Sequence, residues 1–287
     1  MPLPLRLRRL TSADLPFADH VRALAGWNQT LDDWRRFLAL APGGCFLAEW
    51  EGNPAGTATT IVYSAELAWI GMILVHPDYR RRGVGTALLE HCIAYLRGLG
   101  VRCIKLDATP AGKLVYDRLG FHDEWRLTRW KGWPARLHDG QSAQRTRAWQ
   151  AQDLDRVHGL DAAAFGALRR ALLRALGAQS HHALVSYDSS GQPSGYGLLR
   201  AGARALYLGP IAAASVAAAG GLVQALLARS GGQTVYWDIP DPNVPAVAWA
   251  REAGFREERS LMRMFLGDNV APGNPFQQFA LAGPEVG

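Results

Sequence analysis

The chain carries nearly the same pattern twice, and that repetition limits its architecture more than any other feature. In RRLTSADLPFADHVRAL a polar stretch leads to the pair Asp14-Leu15 and then a helical pattern. TRAWQAQDLDRVHGLD repeats this around Asp153-Leu154, 139 positions on. A strand pattern, a helical pattern and a Gly-Phe step close each half. The first closing run, IKLDATPAGKLVYDRLGF, ends on Gly120-Phe121; the second, VYWDIPDPNVPAVAWAREAGF, ends on Gly254-Phe255, 134 positions later. So constant an offset predicts duplication of a complete domain. A length of 287 residues suits two domains, each able to bury a core. We place one domain over residues 1–134, a polar linker (ARLHDGQSAQ) over 135–144 and a second domain over 145–287.

The first half reads as helix, helix, three strands, helix, strand, helix, strand. Thr30 caps a helix whose apolar positions Leu31, Trp34, Phe37 and Leu38 share a face, with Pro42-Gly43-Gly44 ending it. Strands are expected over 45–50 and 55–63 around Gly52-Asn53-Pro54, and over 67–75, an apolar run too short for a core helix. Leu88, Leu89, Cys92, Ile93 and Leu96 make a helical stripe over 87–96. A strand over 101–108, a helix over 111–119 and a strand over 121–130 complete an α/β fold with a mixed sheet.

Composition narrows the function classes. With 48% hydrophobic and 20% charged residues the chain is globular. No apolar run approaches the ~20 residues that span a bilayer, and no apolar stretch follows the basic MPLPLRLRRL. We expect a soluble cytoplasmic protein with no membrane partner. The net charge of +6 does not indicate a nucleic-acid partner: the lysines are only Lys105, Lys113 and Lys131, and the arginines are scattered. Cys45, Cys92 and Cys103 form no CxxC pair, so neither a disulfide framework nor a metal site is indicated.

One loop carries chemistry. VHPDYRRRGVGTALLEH joins the strand ending at Val75 to the next helix. A helix N-terminus exposes unpaired N–H groups and attracts phosphate. Glycines at 83 and 85 admit an anion close to the backbone, and Arg80, Arg81 and Arg82 add charged donors. A pyrophosphate fits; an ordinary basic turn is the plain alternative. The stretch resembles motif A of the GNAT N-acetyltransferase superfamily, V-x-P-x-x-Q/R-x-x-G-x-G/A, with Val75, Pro77, Arg80, Gly83 and Gly85 at its specified positions. LVYDRLGF, residues 114–121, is similar to that family's motif B, its tyrosine at Tyr116. The resemblance covers roughly residues 5–131 and implies an acyl-CoA N-acyltransferase (GNAT) fold with acetyl-CoA as co-substrate. Arg80, Arg81, Arg82, Gly83, Val84, Gly85 and Thr86 would surround the pyrophosphate, and Ile73, Leu74 and Val75 would run beside the pantetheine.

Acetyl transfer follows from the same resemblance. Main-chain N–H groups near Leu74 would stabilise charge on the thioester oxygen, and Tyr116 would protonate the departing thiolate. Alignment of amine and thioester supplies the remainder. The base stays open. Some members of the family use a glutamate on the fourth strand, but Trp69 stands in that place and Glu66 lies three residues away. Asp107 is the other acidic candidate, and either acid reads equally as a surface charge or a structural acceptor; a water chain is a third route.

The second half resembles a degenerate copy. YLGPIAAASVAAAGGLVQALL stands at the motif A place, with Leu208-Gly209-Pro210 as the strand end, and lacks the Arg-x-x-Gly-x-Gly pattern. Alignment on the Gly-Phe steps puts Ala250 where Tyr116 stands. GWNQT and Arg263-Met264 are similar to a tandem subgroup in which an active N-terminal GNAT domain precedes an inactive one that walls the acceptor pocket. Trp27, Asn28 and Gln29 are candidate acceptor contacts, or else Trp27 packs and Asn28-Gln29 cap the helix at Thr30. Asp238 in WDIPDPN is a candidate to reach the cleft, or a turn residue. The resulting expectation is an N-acetyltransferase acting on a primary amine of a small or amino-acid-like acceptor by direct attack in a ternary complex. A non-catalytic acyl-CoA-binding module and an enzyme acetylating a protein amine are the competing readings.

Overall fold

The computed structural model describes residues 4–134 and 145–287, and the linker assigned to 135–144 lies outside them. The first half runs β1 (Leu5–Arg9), α1 (Leu15–Leu24), α2 (Leu31–Leu40), β2 (Cys45–Trp50), β3 (Asn53–Val62), β4 (Leu67–Val75), α3 (Val84–Gly98), β5 (Cys103–Ala108), α4 (Pro110–Arg118) and β6 (His122–Gly132). The second runs β7 (Arg145–Ala148), α5 (Leu154–Phe165), α6 (Arg170–Gln179), β8 (Ser180–Tyr187), β9 (Pro193–Arg200), β10 (Leu206–Ala213), α7 (Val216–Leu227), β11 (Val235–Pro240), α8 (Val244–Glu252) and β12 (Arg256–Gly267), followed by a short β13 (Gln278–Ala280). Up to β13 the halves correspond element for element. No helix among the described residues is long and apolar enough to cross a membrane.

Duplication extends to side chains. Arg8 binds both oxygens of Asp14 at 2.8 and 2.7 Å, and 139 positions later Arg147 binds both oxygens of Asp153 at 2.7 and 2.6 Å. Each aspartate also accepts a main-chain N–H three residues back, at Thr11 and Gln150. Hydrogen bonds from Arg8 hold the Asp14 carboxyl at about 2, below its ordinary 3.8, although burial opposes them. A lowered folded-state pKa contributes stability above the unfolded value and loses it as pH falls through the folded one. Thermal midpoints should therefore drop from pH 3.8 toward pH 2. Asp14→Asn should lower the midpoint at neutral pH and remove part of that acid-dependent drop.

Two local expectations are corrected. The sequence reading contained no strand before the first helix, yet β1 pairs antiparallel with β2 from Leu5↔Trp50 to Arg9↔Phe46. Its arginines obscure the alternation because β1 is a sheet edge, where charged side chains are tolerated and block further pairing; Arg8 also binds Glu49 at 2.6 Å. On α2 the Thr30 cap forms as expected, with Thr30 N–H donating to Asp33 at 2.6 Å and Asp33 N–H donating back at 3.3 Å. The buried face is shifted, however: Leu31 is 40% exposed, while Trp34, Phe37 and Arg36 are buried. Arg36 reaches Gln179 of α6, so packing between the halves sets the face.

The sheet does not divide where the sequence does. Its strand order is β1-β2-β3-β4-β5-β12-β6-β11-β10-β9-β8-β7, with β13 on β10. The last strand of each half lies beside the other half's strands: β12 pairs with β5, and β6 pairs with β11. One continuous sheet results, and a cut at residue 134 would strand β6 among partners from the second half.

Buried charge pairs lock the exchange. Arg263 on β12 donates to Asp107 on β5 at 2.9 and 3.0 Å, and Arg129 on β6 donates to Asp238 on β11 at 2.7 and 2.6 Å. Arg263 also lies 4.5 Å from the Trp69 ring and 4.1 Å from that of Trp125, within cation–π range. Helices α3 and α4 cover an apolar cluster of the first half, and α7 and α8 one of the second. A third cluster joins Trp34 and Phe37 of α2 to Leu172 and Leu176 of α6.

Candidate active site

The site begins where two parallel strands part. β4 and β5 pair only from Leu67↔Cys103 to Trp69↔Lys105. Beyond Trp69 the β5-facing main chain of β4 has no strand partner among the described residues. On its other side β4 remains paired with β3, apart from a register shift where Gly71 and Leu74 oppose Thr59 and Thr57. Met72 sits in this bulge at φ 50, a left-handed value uncommon for a side chain with a Cβ. The bulge interrupts the regular β3–β4 ladder at Met72.

β4 then runs through a turn at Pro77–Tyr79 into α3, whose N-cap is Gly83 at φ 80. No side chain caps α3, as at α1, α5 and α6, but of these four α3 alone starts at a glycine, whereas Thr30, Thr109, Ser215 and Asn243 cap α2, α4, α7 and α8. Its first N–H groups, from Val84, Gly85 and Thr86, are therefore available to an anion. Arg81 is exposed at φ 60, Arg80 Nε donates to the Val75 carbonyl at 3.2 Å, and Arg82 stacks 5.4 Å from the Trp50 ring. This cradle fits a nucleotide pyrophosphate: small residues, free amides and positive charge coincide.

A cavity open to solvent, about 550 Å³ with its mouth included, lies at the parting of β4 and β5. Of the residues singled out from the sequence, Trp27, Gln29, Ile73, Asp107 and Tyr116 line it together. Leu74, Val75 and the loop from Arg80 to Thr86 lie outside its lining, along the chain that leads from it to α3. Burial pushes the Tyr116 phenol up to about 12, so it keeps its proton at neutral pH and can donate it.

Three assignments come out differently. Asp107 borders the cavity, but both its oxygens accept from Arg263, and its buried carboxylate is occupied structurally. Asp238 does not reach the cavity: fully buried, it accepts from Arg129 and from Tyr207 Oη at 2.8 Å. Burial pushes that carboxyl upward, but Arg129 and Tyr207 outweigh it and hold it below the ordinary range. Asn28 is a staple between halves, with Oδ1 accepting from Arg204 and Ala205 N–H at 2.9 and 3.0 Å and Nδ2 donating to Ala205 O at 3.0 Å. Glu66, the other acid considered, is exposed in a turn.

Sequence reasoning missed Glu285 and Arg259, which line the same cavity. Glu285 arrives on the segment after β13. Trp69 Nε1 donates to Pro284 O at 3.0 Å and Tyr63 Oη to Val286 O at 2.7 Å, on either side of it. Gln29 Nε2 donates to Glu285 Oε2 at 2.7 Å. Gly71 is required here, because a Cβ on it would stand 2.5 Å from the Glu285 carbonyl oxygen. Thus Trp69, standing where a strand glutamate was expected, helps hold a glutamate from the far end of the sequence. No spacing in LAGPEVG could have linked it to β4.

The second half has the same opening but fills it. β10 and β11 pair only from Leu206↔Val235 to Leu208↔Trp237. There β13 pairs with β10, Trp237 Nε1 donates to Phe279 O at 2.8 Å, and Leu281 N–H donates to Asp238 O at 2.9 Å. Strand β10 continues to Ala213 rather than ending at Leu208-Gly209-Pro210. Ser215 Oγ accepts from Ala218 N–H at the start of α7, occupying the place an anion would take. Protein fills this opening from end to end.

A tyrosine in a cavity between parted strands, with one strand leading on to a glycine-capped helix, is the arrangement of an acyltransferase, and the family matches agree. Residues 8–121 match the Acetyltransferase (GNAT) family and residues 157–280 an Acetyltransferase (GNAT) domain. The chain belongs to the GNAT N-acetyltransferase superfamily, with two GNAT domains in tandem. The ribosomal protein bS18-alanine N-acetyltransferase of Escherichia coli is 33% identical over 123 residues, 40% of this chain and 78% of that protein. Holothin acyltransferase from Pseudoalteromonas sp. is 25% identical over 269 residues, 91% of this chain and 87% of that one. A provisionally assigned acetyltransferase from Pyrococcus horikoshii superposes with a TM-score of 0.84 at 23% identity, covering 100% of this chain and 97% of the other.

Proposed function

We propose that the first domain transfers the acetyl group of acetyl-CoA to a primary amine of a small-molecule acceptor, by direct attack while both are bound. The convergence of Tyr116 and Glu285 on one cavity beside the parted strand β4 carries this reading. Glu285 takes a proton from the incoming ammonium, and the freed amine attacks the thioester carbon. Main-chain N–H groups at the Met72 bulge stabilise the oxygen as it gains charge. The new C–N bond forms, the C–S bond breaks, and Tyr116 gives its proton to sulfur. Nitrogen loses its second proton and Tyr116 is reprotonated, so each turnover yields amide, CoA thiol and one proton to solvent.

A small acceptor is favoured because the segment 281–287 and β12 of the second half wall the cavity through Pro284, Glu285, Arg259 and Leu261. The relative that matches across both halves is named for acylating holothin; the one named for a ribosomal protein's alanine matches 40% of the chain. The test is thiol release from acetyl-CoA with a library of amines, beside calorimetry of acetyl-CoA alone. Gly83→Val places a β-branched residue at φ 80, costing about 1–3 kcal/mol of strain. Acetyl-CoA affinity should fall at least about tenfold; unchanged affinity would contradict the cradle.

A further inference from the structure

We propose that the acceptor is a free amino acid with an apolar side chain, its amine received by Glu285 and Gln29 and its carboxylate by Arg259. The inference rests on reading this cavity as the acceptor site of an N-acetyltransferase and adds the chemical class of what enters it.

The cavity leaves several polar groups unsatisfied. Its other buried charges are spent: Asp107 on Arg263, and nearby Asp238 on Arg129 and Tyr207. Three groups remain. Arg259 makes no ion pair or hydrogen bond among the described residues, and its Nε is shut off from solvent without a partner. The Trp27 ring lies over it, 5.8 Å from centroid to guanidinium carbon, and the carboxylates of Asp238 and Glu285 attract it without touching it. Gln29 is 7% exposed and its Oε1 is a buried acceptor with nothing to accept. Glu285 uses Oε2 for Gln29, while Oε1 accepts from no described residue.

These groups differ in sign and position. Glu285 and Gln29 are acceptors, with Glu285 seated against Gly71 of β4, where the acyl carbon must lie. Arg259 is a donor on β12. Arg259 is half-buried, with its Nε shut off from solvent and unpaired, and an anionic ligand in the cavity supplies the acceptor it lacks. A zwitterion with ammonium at one end and carboxylate at the other satisfies all three at once. A plain amine leaves Arg259 unpaired, and a peptide N-terminus brings a neutral carbonyl where the carboxylate belongs. Between the poles Ile70, Met72, Leu106 and Leu261 present apolar surface, which selects an apolar side chain.

The experiment measures acetyl transfer to L-leucine, L-methionine and L-phenylalanine, each beside its primary amide and its decarboxylated amine. The product is the N-acetyl amino acid plus CoA thiol. For the best substrate, kcat/KM of the acid should exceed that of the amide at least about 30-fold, equivalent to about 2 kcal/mol. In Arg259→Gln that ratio should shrink to about threefold, through a raised KM for the acid, and an unchanged ratio would remove Arg259 as the carboxylate partner. Amides or amines used as well as acids by the unaltered protein would overturn the inference without any variant, while leaving N-acetyltransfer intact. So would an absence of turnover of all three acids in protein that binds acetyl-CoA by calorimetry. Failure to bind acetyl-CoA at all would instead remove the acetyltransferase reading beneath it.

Discussion

Tyr116→Phe should lower kcat by about 10²- to 10⁴-fold, the range for loss of a positioned proton donor, while acetyl-CoA binds as before. The phenol lines the cavity, and burial pushes its pKa up to about 12, so it stays protonated through neutral pH. Phenylalanine keeps the ring, its contact with Phe121 and the packing of α4, and loses only the hydroxyl. An unchanged kcat would assign the proton to another donor and leave Tyr116 a packing residue. Glu285→Gln makes the companion test at the other proton. The amide still accepts from Gln29 but takes no proton from an ammonium, so the rate should fall comparably and recover toward alkaline pH as free amine accumulates.

The largest stability effect should follow Asp238→Ala. It leaves Arg129 buried at 4% side-chain exposure with no carboxylate. Removing one partner of a buried pair costs about 3–5 kcal/mol, a large share of the ~5–15 kcal/mol that holds a domain together. Because Arg129 and Asp238 join β6 of one half to β11 of the other, the loss should register in the unfolding of the entire sheet. Denaturant midpoints measured beside Arg129→Met/Asp238→Leu supply the control, since removing both charges should restore most of the difference. Asp238 does not line the cavity, so KM for the acceptor should stay the same in the folded fraction. A raised KM with unchanged stability would reinstate Asp238 as a substrate contact.

The elements that carry the first-half candidates were legible in the residues because their determinants are local. Gly83 takes a positive φ at the start of α3, and Tyr116 lies on the helix immediately after β5, so short spacings carry their placement. The 139-residue offset announced duplication for a similar reason, since each half rebuilds the same strand, cap and Arg–Asp pair from its own sequence. β1 escaped notice because an edge strand tolerates charged side chains, so its arginines mask the apolar alternation of Leu5 and Leu7. The buried face of α2 was displaced by a neighbour from the other half.

By itself the sequence determined two copies of a strand-and-helix plan, a glycine-led start to α3 in the first, and the loss of that pattern in the second. Tertiary structure decided how the copies combine. Pairing of β12 with β5 and of β6 with β11 joins residues about 110 to 160 positions apart, and no local propensity encodes such partners. That exchange turned Asp107 and Asp238 from candidate chemistry into structural ion pairs. It also carried Glu285 and Arg259 to a cavity whose motif lies some 200 residues earlier. The physical reason is range: backbone conformation and capping are set by neighbours in sequence, whereas a buried charge acquires its role from whatever folds against it.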